Sequence, residues 1–331
     1  MIERYCISRS PDISRLFPDV VLTRKNELIC VYIHALCHTD RSRNGIFYTK
    51  SSDFGKTWSE EVCLVRGVET VPGNCNFNCP RISRLPDDTL VILCDDYADG
   101  TKQHLWYSRD DGETWGEHRV LPFHGIVPDK YRVLSNGRHV FAVHHKDEEN
   151  RFTQECYFSD DAGVKWNRSV IAQDERLRLC EASLLETSPG TVVSFLRENS
   201  SAGYPIFRAV SHDYGTTWEG VYPTKLYCGH RPVSGFYEDG KLMITYRHKQ
   251  GGAAQNLFAA FLRTEDILSP EPEEHVRIFP LSYDRAENPD TGYSGWVRLP
   301  DGSLYVVNYL VDDAPKAYIQ GMRFLLSDVF A

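Results

Sequence analysis

Several features that would announce a function are missing from this 331-residue sequence. It has no run of lysine and arginine, and the formal net charge is −9, so nothing offers the basic footprint that nucleic acid needs. No apolar stretch approaches the roughly 20 residues of a membrane-spanning helix. The opening Met1-Ile2-Glu3-Arg4-Tyr5-Cys6 lacks the basic-then-apolar order of a secretory leader. That reads as a cytoplasmic protein, although a secreted chain stripped of its leader would read the same. The 10 cysteines form no dense or regular framework and are expected as free thiols. Cys75 and Cys79 flank Asn-Phe-Asn, but no second pair or histidine spacing completes a zinc site. No nucleotide loop or haem motif occurs, so no cofactor is expected. Helical periodicity is absent as well, and residues 269–274, rich in Pro and Glu, read as a surface loop.

What the chain does contain is one octapeptide written four times. Ser51-Ser52-Asp53-Phe54-Gly55-Lys56-Thr57-Trp58 returns as Ser108-Arg109-Asp110-Asp111-Gly112-Glu113-Thr114-Trp115. A third copy, Ser159-Asp160-Asp161-Ala162-Gly163-Val164-Lys165-Trp166, has Lys in the Thr position. The fourth is Ser211-His212-Asp213-Tyr214-Gly215-Thr216-Thr217-Trp218. Asp and Ser/Thr side chains can bond the backbone of a tight turn, Gly supplies a positive φ, and Trp pins the turn with a large apolar face. The copies start about 51 to 57 residues apart, a period that suits a four-stranded blade with its connections. The chain is about six such periods long. The expectation is one all-β domain over residues 1–331, a six-bladed β-propeller.

Each period repeats a strand, a turn, a second apolar strand and a third strand running into the box. The first period has strands at 19–22, 28–34 and 45–50, and the second at 81–85, 89–95 and 104–108. The third has 130–134, 138–144 and 154–159, and the fourth 180–186, 191–197 and 206–211. Beyond Trp218 the boxes stop but the rhythm continues, at 232–237, 241–246 and 256–262, then at 292–299, 303–309 and 317–324. The ring is expected to close by pairing of the last unit with a strand near residues 5–8.

Propeller blades send their first strands toward an axial channel, so charged or phenolic residues at strand ends are the candidates for chemistry. They are Asp40, Glu181, Arg197, Arg15, Arg231, Arg247 and Tyr293. His144-His145 reads as a solvated strand end. On these residues and the four boxes, the chain resembles the sialidase (neuraminidase) superfamily over essentially its whole length. Glu181-Ala182-Ser183-Leu184-Leu185-Glu186, followed by Val193-Ser194-Phe195-Leu196-Arg197, is similar to the stretch holding the family's catalytic Glu and second triad arginine. Gly292-Tyr293-Ser294 resembles the segment with the Tyr nucleophile. Asp40 resembles the acid/base aspartate, and Arg15 the first triad arginine.

The resemblance implies a retaining exo-glycosidase acting on a terminal sialic acid or related acidic sugar of a glycan or glycoconjugate. Tyr293 would be the nucleophile, Glu181 its base and Asp40 the acid/base, with arginines on the substrate carboxylate. Two departures stand beside the matches. The family's Arg-Ile-Pro is here Arg15-Leu16-Phe17-Pro18, one residue longer. The third arginine is expected in the fifth unit, where residues 251–256 contain none and offer Gln255 instead, so that Arg231 or Arg247 would have to reach the same point. Action on a different sugar, a lyase reaction and a non-catalytic glycan-binding propeller therefore remain open alternatives.

Overall fold

The computed structural model describes residues 1–40, 43–67, 77–249 and 255–330. These residues form six four-stranded antiparallel sheets, the blades of a six-bladed β-propeller. By compactness the chain divides into two units, Met1–Gly125 with Tyr283–Ala331, and Ile126–Ser282. Each unit holds three blades. Within a blade the strands follow one another in chain order, so every pairing is local except one. Blade six is completed by Glu3–Ser8, which pairs antiparallel with Tyr318–Phe324 with Tyr5 opposite Gly321. The closure expected near residues 5–8 is therefore present.

In each blade the fourth strand is more exposed than the third. Ser14–Leu22 is buried along almost its whole length, whereas Val62–Arg66, the fourth strand of the same blade, has no buried residue. The second and third strands carry dense apolar runs and match the sequence expectation closely, as in Leu28–Ala35, Gly45–Ser51 and Thr191–Glu198, whereas the expected first strands at 19–22 and 130–134 are Ser14–Leu22 and Arg132–Val133. The fourth strands, such as Glu117–His124, show only weak alternation and were not legible as strands. Among the described residues, helix is confined to Thr264–Leu268 and two single 3₁₀ turns. No helix is long and apolar enough to cross a membrane. The stretch 269–274 is a surface loop with one exception. Glu273 is buried against the fully buried Arg208 at 2.6 Å, which pins the loop to the blade.

The four boxes share the Ser–Asp, Gly–Ser and backbone–Asp bonds, while the Trp bond to the Gly carbonyl is made in the first, third and fourth. In the first, Ser51 donates its hydroxyl to Asp53 Oδ1 at 2.8 Å and accepts from the Gly55 N–H at 2.8 Å. Asp53 also accepts the N–H and hydroxyl of Thr57, at 2.9 and 2.6 Å, and Trp58 Nε1 donates to the Gly55 carbonyl at 3.1 Å. Phe54 and Gly55 both have positive φ, 58° and 86°. In the third box Asp161 still accepts the Lys165 N–H at 2.7 Å, but the Lys side chain offers no hydroxyl for the last bond. Nine described cysteines are free thiols. Cys79 is buried in a strand with its Sγ 3.4 Å from Asn78 Oδ1, while Cys75 lies outside the described residues.

A second repeat, in the backbone, positions the candidate site. Five first strands carry a break in register, between Leu16 and Asp19, Asn78 and Arg81, Cys180 and Ser183, His230 and Val233, and Gly292 and Gly295. Inside these bulges Phe17, Cys79, Glu181, Arg231 and Tyr293 have φ between 46° and 57°. Val127, at φ 54°, begins the corresponding segment of blade three. A bulge leaves one residue out of the ladder and re-aims its side chain. Positive φ is unfavourable for non-glycine residues and persists where the surroundings enforce it.

The enforcement is visible two residues after the bulge. Asp19 Oδ2 accepts the Ile82 N–H at 3.0 Å, and Asp129 Oδ2 accepts the Leu184 N–H at 2.8 Å. Ser183 accepts the Ser234 N–H at 3.0 Å. Each links the first strand of one blade to that of the next. At Gly295 the packing is so close that a Cβ would lie 2.0 Å from Asp19 Oδ1 and 2.8 Å from Asp19 Cα.

Candidate active site

In the unit Ile126–Ser282, Arg197 pairs with the buried Glu181, and Arg231 and Arg247 act on the buried histidines that also feel that pair. Glu181 is buried at its bulge, and Arg197 donates Nη1–H to Glu181 Oε1 at 2.7 Å. Arg197 stands across from Cys180 in the blade-four ladder, and its Nη2 bonds Asn199 Oδ1 at 2.5 Å. Arg247 occupies the corresponding place in blade five, opposite His230, with Nη1 donating to Gln255 Oε1 at 3.1 Å. Arg231 sits at the blade-five bulge and donates to the Pro128 carbonyl at 2.6 Å. Arg247 lies in the strand before Gln255, its partner, and residues 251–254 lie outside the described set.

The field of these cations is legible in two histidines. Burial pushes His144 down to about 4; Glu181 raises it, but Arg197 and Arg231, with His145, oppose that. His230 falls to about 3, first through burial and then through Arg197 and Arg247. Both rings are therefore neutral at neutral pH. His144, read from the sequence as a solvated strand end, is instead buried, with its Nδ1 accepting the Glu181 N–H at 3.4 Å. A region that keeps its histidines neutral under the charges of Arg197, Arg231 and Arg247 is suited to an anionic ligand.

In the unit Met1–Gly125 with Tyr283–Ala331, Tyr293 is buried at the blade-six bulge against Phe17, ring centroids 5.0 Å apart. The segment before it is held by a chain of bonds. The Gly292 N–H donates to Asn308 Oδ1 at 3.0 Å, Asn308 Nδ2 donates to Thr291 Oγ1 at 2.8 Å, and Thr291 donates to the Tyr309 carbonyl at 2.7 Å. Behind it, buried Arg81 donates to the Ser294 carbonyl at 2.9 Å. Asp40 closes a turn in which the Cys37 N–H donates to its carbonyl at 2.8 Å. The same turn carries His38, whose Nδ1 lies 3.0 Å from both oxygens of Asp290. Neither His38 nor Asp290 was singled out from the sequence as a site residue, because their meeting depends on a separation of 252 residues.

Arg15 is placed differently from the other arginines. Its Nη2 and Nε fork onto Glu61 at 2.8 and 3.0 Å, and Nη1 donates to the Ile13 carbonyl at 2.8 Å. Tyr32 and Ser8 also donate to Glu61. Burial pushes the Glu61 carboxyl up, but His34, Arg15 and Ser8 hold it well below the usual range. Arg15 is thereby committed to a carboxylate of its own chain.

With this geometry in hand, comparison with known proteins is informative. The sequence model of the BNR repeat-like domain family matches residues 39–306. No curated protein matches. Among solved structures, a protein of unknown function from Dyadobacter fermentans is similar at 21% identity and a TM-score of 0.81, over 97% of this chain and 98% of that one. The Hadza microbial sialidase is similar at 18% identity and a TM-score of 0.68, over 96% of this chain and 66% of its own. The Trypanosoma rangeli sialidase in complex with the inhibitor DANA gives 16% identity and a TM-score of 0.68, over 98% and 59%. Both sialidases are longer proteins, and the likeness is one of fold.

Proposed function

Because this chain belongs to the BNR repeat-like domain family, we propose that it is a retaining exo-glycosidase of the sialidase type, releasing a terminal sialic acid or related acidic sugar from glycans. The observation that carries the reading is the buried pair of Arg197 and Glu181, with Arg231 and Arg247 acting on the buried histidines His144 and His230 that also feel it. A guanidinium stays charged at all working pH values and binds a carboxylate as a fork, which suits a sugar acid better than a neutral sugar. The first triad position goes to Arg15 on the resemblance alone, since its fork onto Glu61 gives it a wall-building role in this chain.

Tyr293 is the nucleophile in this reading and Glu181 its base. The carboxylate of a sialic acid is attached to the anomeric carbon and would repel an anionic attacker, whereas a phenol avoids that cost. Tyrosine has a reference pKa of about 10, so it needs a base to attack at neutral pH. Tyr-nucleophile sialidases are an established exception to the paired-carboxylate rule of glycosidases. Asp40 is the acid/base that the resemblance supplies. The free cysteines suit a reducing compartment, and the proposed place of action is the cytoplasm.

Tyr293→Phe should lower kcat on an aryl α-sialoside by at least about a hundredfold with the thermal transition unchanged. Full activity in that variant overturns the assignment. A second reading keeps the fold and the anion site but changes the sugar, because a uronic acid presents a carboxylate too. Turnover of an aryl uronide, without turnover of any sialoside, would establish it.

A further inference from the structure

Two histidines beside the Arg197–Glu181 pair are left unused by the roles above. His144 and His230 are both buried, at 4% and 5% exposure. After burial itself, Glu181 and Arg197 act on each ring, with Arg231 and His145 added at His144, and Arg247 and Lys249 at His230. The protein does not use up their ring nitrogens. The Glu181 N–H donates to His144 Nδ1 at 3.4 Å, so the hydrogen of this neutral ring is on Nε2. That Nε2–H has no partner among the described residues, and the ring stacks on Phe152 at 5.9 Å between centroids. His230 Nδ1 is enclosed and likewise has no hydrogen-bond partner among the described residues. Buried polar groups are nearly always hydrogen-bonded, so such a nitrogen inside a site marks where a ligand completes the set.

The blades themselves do not call for an imidazole at His230. It is the residue before the bulge in blade five. The same position is Leu16 in blade one, Asn78 in blade two, Cys180 in blade four and Gly292 in blade six. In blade two the Asn78 amide donates to Asp95, its partner across the ladder, at 3.2 Å. His230 has Arg247 across the ladder instead, a group that only donates and that is bonded to Gln255. Blade geometry is met by leucine, cysteine or glycine, and the histidine is an addition to it.

We propose that His230 and His144 are specificity residues of this site, each hydrogen-bonding a hydroxyl group of the sugar whose carboxylate the arginines hold. The proposal rests on the acidic-sugar reading given above. A guanidinium can only donate, and an ionised carboxylate can only accept. A neutral imidazole adds one donor and one acceptor without adding charge. A hydroxyl both donates and accepts, so it meets His144 at its Nε2 hydrogen and His230 in either tautomer. An uncharged ring does not compete with the guanidinium groups for the carboxylate, so the two kinds of recognition stay separate.

Binding of sugars that lack single hydroxyls separates this role from a structural one. Calorimetric titration with free sialic acid, and with analogues each missing one hydroxyl, reads it without turnover. The wild type should bind at least one analogue about tenfold to a hundredfold more weakly than the parent sugar. His230→Phe keeps a ring of similar size and removes both nitrogens. It should lose a similar factor on the parent sugar and nothing further on that analogue. His144→Phe should behave in the same way toward the analogue missing its own hydroxyl. Equal losses on parent and analogue overturn the proposal, because a structural role weakens every ligand alike. Indifference of the wild type to every missing hydroxyl also overturns it, since ordered water then satisfies the nitrogens.

The same series built on glucuronic acid covers the other class of acidic sugar. Binding of neither parent sugar to the wild type defeats the acidic-sugar reading itself, and the proposal with it. Nitrogen-15 spectra of the wild type decide the matter where a phenylalanine variant does not fold. With signals assigned through His144→Gln and His230→Gln, His144 Nε2 and His230 Nδ1 should shift on addition of the parent sugar. The shift should shrink with the analogue that binds weakly. Signals that stay in place under a saturating parent sugar overturn the proposal.

Discussion

At the scale of single residues, the arginines divide by the company they keep. Arg15 faces a carboxylate of the chain itself, so its removal strands Glu61, whose remaining donors are neutral side chains and His34. Arg15→Ala should cost about 2 kcal/mol in urea unfolding, a value below that of a fully buried pair because Glu61 is partly exposed. Arg247 donates to the neutral Gln255. Arg247→Ala should raise KM for an acidic sugar by about tenfold to a hundredfold, the equivalent of one charge-assisted contact. A reversed pattern would exchange the two roles.

His144 gives a residue-scale test in pH. Its folded value is depressed from 6.5 to about 4, so the unfolded chain binds the proton more readily. Stability from the neutral ring is complete above pH 6.5 and is lost as pH falls toward about 4, by up to about 3 kcal/mol. Burial sets most of this, and Glu181, Arg197, Arg231 and His145 modify it. His144→Gln should flatten the acid limb of the stability profile over that window, measured by urea titration at successive pH values. An unchanged slope would show that other groups carry the acid sensitivity.

At the scale of elements, boxes and bulges do separate work. The box is a local structure, in which eight consecutive residues bond one another, so its sequence reports it directly. The bulge is made between strands. It depends on the register of the first strand with the second and on side chains such as Asp19 that reach the next blade. Gly295 shows how tight that seam is, because a methyl group there would overlap the backbone of Asp19. Gly295→Ala should destabilise by about 1–3 kcal/mol or more, read from the urea midpoint, since the obstacle is main chain and cannot rotate away. A neutral result would mean that the two strands can part without cost.

At the scale of the whole molecule, closure of the last blade is the long-range event. Glu3–Ser8 covers the edge of Tyr318–Phe324, a pairing between the two ends of the described chain. An uncovered edge strand exposes a row of unpaired backbone donors and acceptors. Deletion of residues 1–8 should lower the melting temperature and produce concentration-dependent association in sedimentation velocity. It also removes Ser8 from the Arg15–Glu61 cluster. A monomeric deletion variant with the parent's melting temperature would show that closure adds nothing.

The sequence by itself determined the blade period, the second and third strands of each blade, the closing strand near residues 5–8 and the turn chemistry of the boxes. Each rests on contacts between residues close in the chain, or on apolar alternation that a strand must show to bury one face. It also picked out Glu181, Arg197 and Tyr293 by residue type and order. Only the tertiary structure decided what surrounds them. It paired Arg247 with Gln255 and turned Arg15 toward Glu61. It buried His144 beside Glu181 and brought Asp290 to His38. Those contacts join residues up to 252 positions apart. Their partners are selected by strand register and blade order, and no local pattern encodes them.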